Sequence, residues 1–193
     1  MLEKLMELDR ELLLYLNSFH ADWLDPVMFW TSKTLFWLPL YLFLLYLVIK
    51  NYKKDSWIIL IGIALTILWA DQITAGIMKP FFERLRPSRE PSLQGLVHLV
   101  NGYTGGLYGF ASSHAANTFA TALFFWLLFR DRYRWVWALF IWAAGMTYTR
   151  IYLGVHYPGD ILVGMIVGLC GAGFGFTAQK LIWRKVKENK IEN

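Results

Sequence analysis

Residues 57–78 read WIILIGIALTILWADQITAGIM, a run of 22 residues in which Asp71 is the only charged side chain. A bilayer core about 30 Å thick is crossed by roughly 20 apolar residues in a helix. Because lipid offers no hydrogen-bond partners to the backbone, a helix is the form expected of such a run. This segment therefore predicts an integral membrane protein.

Four further apolar runs have spanning or nearly spanning length. They cover residues 26–49, 115–129, 135–149 and 161–182. The runs at 115–129 and 135–149 are short, and they reach spanning length only if the polar residues at their ends are helical too. We therefore expect an all-α fold, a polytopic helical bundle with about five transmembrane helices in a single domain, residues 1–193.

The N-terminal stretch, residues 1–25, has a different pattern. Its apolar residues recur at helical spacing with charged residues between them. The apolar positions are Leu2, Leu5, Leu8, Leu12, Tyr15 and Leu16. This pattern predicts an amphipathic helix lying in the membrane interface. It lacks the basic start, clean apolar run and small-residue cleavage site of a signal peptide.

The composition excludes several classes of protein. Hydrophobic residues make up 56% of the 193 residues and charged residues 17%, against about 45–50% and about 25% in soluble domains. A disordered chain would be poor in apolar residues, and Cys170, the only cysteine, cannot form a disulfide within the chain. The net charge of +5 could suit nucleic acid, but the basic residues form no contiguous stripe.

The basic residues instead predict an orientation. Eleven of the 19 Lys and Arg residues fall on one side if five helices alternate across the membrane, and the positive-inside rule places that side in the cytoplasm. The N-terminus is then outside. The eleven are Lys50, Lys53, Lys54, Arg130, Arg132, Arg134, Lys180, Arg184, Lys185, Lys187 and Lys190.

Three polar stretches lie at the outer ends of the predicted helices. They are KPFFERLRP at 79–87, FASSH at 110–114 and TRIYLGVHYPGD at 149–160. The topology places all three on the same face of the membrane. Ionisable residues at the ends of apolar helices are costly, so their presence indicates function.

The cations in these stretches suit a phosphate group. Lys79, Arg86 and Arg150 supply three positive charges, and arginine binds phosphate through two parallel hydrogen bonds. Ser112 and Ser113 open a predicted helix, where free backbone N–H groups bind anions. Together they predict a site for an anionic substrate.

The histidines in the same stretches supply reactive groups. Asp160 follows His156 by four residues, so in a helix its carboxylate would accept the Nδ1 proton and leave Nε2 free as a nucleophile. Pro158 disfavours a helix through Tyr157, but a helix that opens near Pro158 also keeps Asp160 close. His114 is a second imidazole, suited to donate a proton. The combination predicts hydrolysis of a phosphate ester without a metal.

The three stretches resemble the signatures K-x6-R-P, P-S-G-H and S-R-x5-H-x3-D of the type 2 phosphatidic acid phosphatase family, over residues 79–160. The resemblance implies that His156 is the nucleophile and forms a phosphohistidine, that Asp160 orients it, and that His114 is the general acid. It also implies a phosphate cradle and no metal or other cofactor. The cradle comprises Lys79, Arg86, Arg150, Ser112 and the backbone at Ser113.

Three positions depart from the family pattern. Ala111 replaces proline, Ser113 replaces glycine and Thr149 replaces serine. Ser113 matters most, because a positive φ at this position would cost a serine roughly 1 kcal/mol.

The resemblance implies a lipid phosphate phosphatase in a bacterial inner membrane, with its site facing the periplasm. Its candidate substrates are undecaprenyl diphosphate, lipid A, phosphatidate and phosphatidylglycerol phosphate. Three alternatives remain open: phosphotransfer between lipids, hydrolysis of a soluble phosphate ester, and binding of anionic lipids without catalysis. The pattern indicates no oligomeric state.

Residues outside the motifs give four lesser expectations. Arg84 matches no motif position and is expected to face solvent or lipid headgroups. Lys33 and Asp71 lie at similar depths in the first two runs and are candidates for an ion pair. The loop 88–110 is expected to lie over the outer mouth of the site. The glycines of the last run favour close helix packing.

Overall fold

The computed structural model describes residues 2–189, apart from the side chain of Leu2, and Lys190 of the basic set lies outside that range. The described residues form helices and loops, with one isolated bridge between Leu85 and Tyr108 in place of a sheet. The predicted all-helical fold is confirmed. The α-helices are α1 (Leu2–Asn17), α2 (Asp25–Thr31), α3 (Leu38–Tyr52), α4 (Ser56–Asp71), α5 (Lys79–Phe82), α6 (Ser113–Phe129), α7 (Ala138–Tyr152) and α8 (Pro158–Asn189).

The apolar run at residues 57–78 forms part of one helical rod. A π-helical segment, Gln72–Met78, joins α4 to α5 without a break. At the other end the chain reverses at Lys53, where φ is +48°. Leu44 and Ile63 line the same cavity, although in one straight helix they would be about 28 Å apart. Helices α3 and α4 are therefore antiparallel neighbours.

Two helical stretches are long and apolar enough to cross a membrane. Residues Thr34–Phe82, which include the reversal at Lys53, contain an 18-residue stretch with a mean hydropathy of 1.9, and Pro158–Asn189 contains one with a mean hydropathy of 2.0. Large apolar side chains cover their outer surfaces, among them Leu68 at 57% exposed and Ile166 at 56%. Exposed apolar patches of this extent are typical of a surface that contacts lipid.

The first apolar run, residues 26–49, is not one helix, and that expectation was wrong. Helix α2 ends at Thr31, Lys33 is extended with ψ of 129°, and α3 begins only at Leu38. Pro39 lies in the first turn of α3, where its missing N–H does no harm. The indole of Trp37 donates to the Thr31 carbonyl at 2.7 Å and so caps the end of α2.

The central packing of the fold is between α8 and the pair α4 and α6. Glycines of α8 allow this close approach. A Cβ at Gly164 would meet the carbonyl oxygen of Ser112, and one at Gly168 would meet that of Ala116. A Cβ at Gly173 would have no neighbour within 4 Å. The prediction of close packing is therefore confirmed for Gly164 and Gly168, whereas Gly173 faces open space.

Helix α1 ends at Asn17, short of residue 25, and a turn leads from it to α2. Its two faces have different surroundings. Leu13 is fully buried in a cluster with Leu93, Ile151 and Tyr157, whereas Leu5, Leu8 and Tyr15 are more than half exposed. The predicted apolar stripe therefore points outward, and the opposite face packs against the protein.

Candidate active site

The fold brings the three motifs together at one end of the bundle. Lys79 begins α5 and Arg86 lies in the loop that follows it. Ser112 is the N-cap of α6, Arg150 lies in its neighbour α7, and Asp160 lies in the first turn of α8. His156 lies in the short connection between α7 and α8.

The imidazole of His156 is held between a carboxylate and a guanidinium group. Its Nδ1 lies 3.2 Å from Asp160 Oδ2, which also accepts a hydrogen bond of 3.0 Å from the Tyr157 backbone N–H. Its Nε2 lies 3.2 Å from Nη1 of Arg86. Helix α8 opens at Pro158, so Asp160 reaches His156 although no helix runs through Tyr157.

The surroundings of His156 favour its neutral form. Burial lowers the pKa of this side chain well below its usual value, and the charges of Arg86, Arg150 and Lys79 lower it further. Because Asp160 faces Nδ1, the neutral ring carries its proton there and presents a lone pair at Nε2. That nitrogen points at the cations.

Arg86 and Arg150 are buried cations without a carboxylate partner among residues 2–189. Arg86 donates to the backbone carbonyls of Tyr108 at 3.1 Å and Val155 at 3.3 Å. Arg150 is 3% exposed and donates from Nη2 to the Tyr103 hydroxyl at 3.2 Å, and its buried Nε has no partner in the described residues. Buried charges need a counter-charge, and a phosphate group would supply one.

Lys79 and Ser113 join the second motif to the first. The Lys79 ammonium donates to Ser113 Oγ at 2.8 Å, and the Thr74 hydroxyl donates to the same oxygen at 2.9 Å. Ser113 is the first residue of α6 and is not among the residues with positive φ. Its replacement of the family glycine therefore brings no backbone strain, and its hydroxyl holds Lys79.

Ser112 and His114 have different surroundings. The Ser112 hydroxyl is fully buried and accepts from the Ala115 N–H at 3.4 Å, so it caps α6. His114 interacts electrostatically with Arg150 and His156. It also lines a cavity of about 380 Å³ that lies below the site. Within residues 2–189, no group of three His, Cys, Asp or Glu side chains is arranged to hold a metal ion.

The model of the PAP2 superfamily matches residues 57–184, which contain all three motifs. The chain belongs to this superfamily. It is 42% identical to a "Lipid A 4'-phosphatase" of Bacteroides thetaiotaomicron, over 99% of this chain and 86% of that protein. It is 37% identical to a protein of the same name from Porphyromonas gingivalis, over 87% and 71% of the two chains. The predicted family and the predicted class of activity, a lipid phosphate phosphatase, are confirmed.

Two solved structures share the fold of this PAP2 protein. The crystal structure of Aquifex aeolicus LpxE superposes with a TM-score of 0.69 at 24% identity, covering 88% of this chain and 95% of that one. The transmembrane PAP2-type phosphatidylglycerolphosphate phosphatase of Bacillus subtilis gives a TM-score of 0.65 at 22% identity, with coverage of 95% and 88%. The fold is thus that of transmembrane PAP2 proteins.

Arg84 is part of the site of this PAP2 protein, so the expectation that it faces solvent or headgroups was wrong. It donates to Asp160 Oδ1 at 2.9 Å and to Asp9 Oδ2 at 2.8 Å. Its guanidinium also lies 3.9 Å from the ring centre of Tyr157. Leu85 pairs with Tyr108 in an isolated bridge, and in an extended segment Arg84 and Arg86 project to the same side. The spacing of two residues between Arg84 and Arg86 is the feature of the sequence that could have placed Arg84 in the site.

The proposed pair of Lys33 and Asp71 is absent from the ion pairs of residues 2–189. The Lys33 ammonium lies over two aromatic rings, 4.3 Å from the centre of Phe29 and 4.5 Å from that of Tyr103, as cation–π contacts require. Tyr103 therefore lies between Lys33 and Arg150. No sequence motif identified it.

The loop 88–110 packs directly against two residues of the motifs, Arg86 and Asp160. Gly105 has a φ of +65°, and a Cβ there would lie 2.9 Å from Nη1 of Arg86. A Cβ at Gly109 would lie 2.9 Å from Asp160 Oδ2. These two glycines let the loop backbone approach the site as closely as it does.

Proposed function

We propose that this PAP2 enzyme removes the 4′-phosphate of lipid A through a phosphohistidine intermediate. The geometry that supports it is the buried pair of His156 and Asp160 beside two arginines without carboxylate partners. The substrate is inferred from the lipid A 4'-phosphatases that the chain resembles over nearly its whole length.

The site residues would act in two steps. Nε2 of His156 attacks phosphorus, a P–N bond forms, the P–O bond to the sugar breaks, and His114 donates its proton to the departing oxygen. Water then attacks the phosphohistidine, His114 accepts a proton from that water, and the P–N bond breaks. Inorganic phosphate leaves and the imidazole is regenerated.

The cations would hold the phosphate oxygens throughout both steps. Arg86 lies beside Nε2, where it would contact the oxygens of the attacked phosphorus. Arg150 and Lys79 would neutralise the remaining charge, and the N–H groups that open α6 at Ser113 would bind an equatorial oxygen. Asp160 would stabilise the imidazole as positive charge develops on it.

We further propose five membrane-spanning helices, formed by α3, α4 with α5, α6, α7 and α8, with α1 in the interface. The basic turns at Lys53–Asp55 and around Arg130 and Arg134 lie at the ends opposite to the motifs. The positive-inside rule would place them in the cytoplasm of a bacterial inner membrane. The site would then open toward the periplasm at the level of the lipid headgroups.

Phosphate release from lipids in mixed micelles with EDTA tests the assignment. Purified protein is expected to act on lipid A that carries phosphates at both the 1 and 4′ positions, and to leave the product with the 1-phosphate alone. The position is read by fragmentation in the mass spectrometer. We expect kcat/KM on lipid A to exceed that on phosphatidate, phosphatidylglycerol phosphate and undecaprenyl diphosphate by about tenfold or more, which corresponds to about 1.4 kcal/mol.

Three results would contradict the proposal. Removal of the 1-phosphate would show that the enzyme hydrolyses the other phosphate of lipid A. Faster turnover of one of the other lipids would show that lipid A is not the preferred substrate. Appearance of the phosphate on a second lipid, in place of free phosphate, would make the enzyme a phosphotransferase.

A further inference from the structure

A cavity of about 380 Å³ lies between α3, α4, α6 and α7, and His114 forms part of its wall. Its lining on α6 extends from His114 to Phe125, which is about 16 Å along the helix axis. Most other lining residues are apolar, including Leu44, Ile63 and Met146. The cavity therefore begins at a site residue and continues toward the middle of the bundle.

One polar group in this wall has no partner. Asn117 follows His114 by three residues, and its Oδ1 is buried and accepts no hydrogen bond from a residue that the structure describes. The neighbouring hydroxyls differ, because Thr118 and Thr121 each donate at 2.8 Å to a backbone carbonyl of α6. A buried carbonyl oxygen that accepts no hydrogen bond is costly.

We propose that the cavity binds one acyl chain of the lipid and that Asn117 hydrogen-bonds an amide or hydroxyl group carried by that chain close to the sugar. This proposal rests on the proposed function. A phosphate bound at His156 places the sugar beside His114, and the cavity that starts there takes the chain. A carboxamide both donates and accepts, so it pairs fully with an amide or a hydroxyl, whereas an ester offers only acceptors.

Asn117→Leu tests the proposed hydrogen bond between Asn117 and the acyl chain. We expect it to lower kcat/KM on lipid A about tenfold, the equivalent of about 1.4 kcal/mol, and to leave kcat/KM on phosphatidate unchanged, because ester-linked chains lack the donor. Thr121→Val is the matched control, since it removes a hydroxyl from the same wall that is already bonded to the backbone. An equal loss on both lipids, or no loss on either, would overturn the assignment.

Met146→Trp tests the cavity separately from the identity of the headgroup. The larger side chain fills the space, so the variant is expected to prefer shorter acyl chains than the parent on any lipid phosphate that the enzyme hydrolyses. An unchanged chain-length preference would show that the cavity does not bind the acyl chain. If lipid A is not a substrate at all, the proposed function fails, and the chain-length result still decides whether the cavity binds lipid.

A second and independent observation concerns α1. Asp9 accepts hydrogen bonds from Arg84 at 2.8 Å and from the Gly159 backbone N–H at 2.7 Å. Arg84 in turn binds the catalytic carboxylate of Asp160. The structure assigns Asp9 and Arg84 as positioning residues, which fix Asp160 and through it the imidazole of His156.

Other contacts hold α1 in this place. Arg10 donates to the Ser92 carbonyl at 3.0 Å, and Asn17 donates to the Tyr152 carbonyl at 2.8 Å. Because the outer face of α1 is apolar and exposed, the helix would lie in the membrane interface while Asp9 reaches the site. The contacts that hold α1 in place therefore also fix the orientation of the Asp160 carboxylate.

Asp9→Asn and Arg84→Gln are expected to lower kcat by up to about 100-fold, as a small displacement of reacting groups does, and to leave KM unchanged, because neither side chain holds the phosphate. Arg84→Lys keeps the charge and is expected to recover part of the rate. Guanidinium ion, at a concentration that does not denature the protein, is expected to restore activity to Arg84→Gly.

Controls for this test come from α1 itself. Glu11→Gln changes an exposed acid of this helix, and Lys4→Gln changes an exposed base of it. Both are expected to keep the parent kcat. If Asp9→Asn and Arg84→Gln also keep it, or if lowered rates come with lowered melting temperatures and no guanidinium rescue, the two residues do not position the carboxylate.

Discussion

His156→Ala is expected to lower kcat on any lipid phosphate by about 10⁴-fold or more, as the loss of a nucleophile does in other enzymes. The reason is that Asp160 and the arginines cannot replace Nε2, and His114 serves in proton transfer. Asp160 lies behind the ring at Nδ1, and Arg86 and Arg150 have no lone pair to offer. Phosphate release by purified protein in mixed micelles measures the loss.

A trapping experiment separates a nucleophilic role from a binding role. The substrate carries a label on its phosphate, and the reaction is quenched rapidly in base, where phosphohistidine persists. We expect the label on the parent protein and none on His156→Ala. His114→Ala is expected to slow both formation and breakdown of the label, since the same imidazole would serve the leaving group and the attacking water.

His20→Ala is the control for loss of an imidazole. His20 is exposed, stacks on His98 at 3.9 Å and is not part of any of the three motifs, so this variant is expected to keep the parent rate. Retention of more than a few per cent of the rate in His156→Ala, with a normal melting temperature, would assign the nucleophile elsewhere.

The parts of this protein that sequence alone could predict are those set by local spacing. The apolar run at 57–78 marks a helix because its length and composition are continuous along the chain. The pairing of His156 with Asp160 follows from a separation of four residues, and it survives although α8 starts only at Pro158. A helix that opens at Pro158 still holds Asp160 in its first turn, beside His156.

The contacts that sequence could not predict join distant residues. Asp9 and Arg84 are separated by 75 positions, and nothing in an amphipathic helix distinguishes the acid that docks from those that face water. The expected pairing of Lys33 with Asp71 assumes that residues 26–49 form one straight helix. The break after Thr31 moves Lys33 out of that register and toward Tyr103, so the assumed depth does not apply.

Gly168→Ala is expected to destabilise the protein by about 1–3 kcal/mol, the usual cost of overpacking, although alanine favours a helix over glycine by about 1 kcal/mol. The added Cβ would meet the carbonyl oxygen of Ala116. That oxygen belongs to the backbone of α6 and has no rotamer through which to move away, so the two helices must separate.

The matched control lies on the same helix. Gly173→Ala adds the same methyl group where nothing lies within 4 Å, so it is expected to leave stability unchanged or to raise it by up to about 1 kcal/mol. Melting temperature and the monodisperse yield in detergent measure both variants. Equal effects at the two positions would show that the contact between α6 and α8 does not depend on glycine.

The folded fraction of Gly168→Ala is also expected to be less active than the parent protein. Ser113 and His114 lie on α6 three and two residues before Ala116, and Asp160 lies at the start of α8. A separation of α6 from α8 therefore also separates Lys79 and its partner Ser113 from the imidazole of His156. We expect the folded variant to lose kcat as well as stability, and a folded variant with the parent kcat would show that the site tolerates movement of α6.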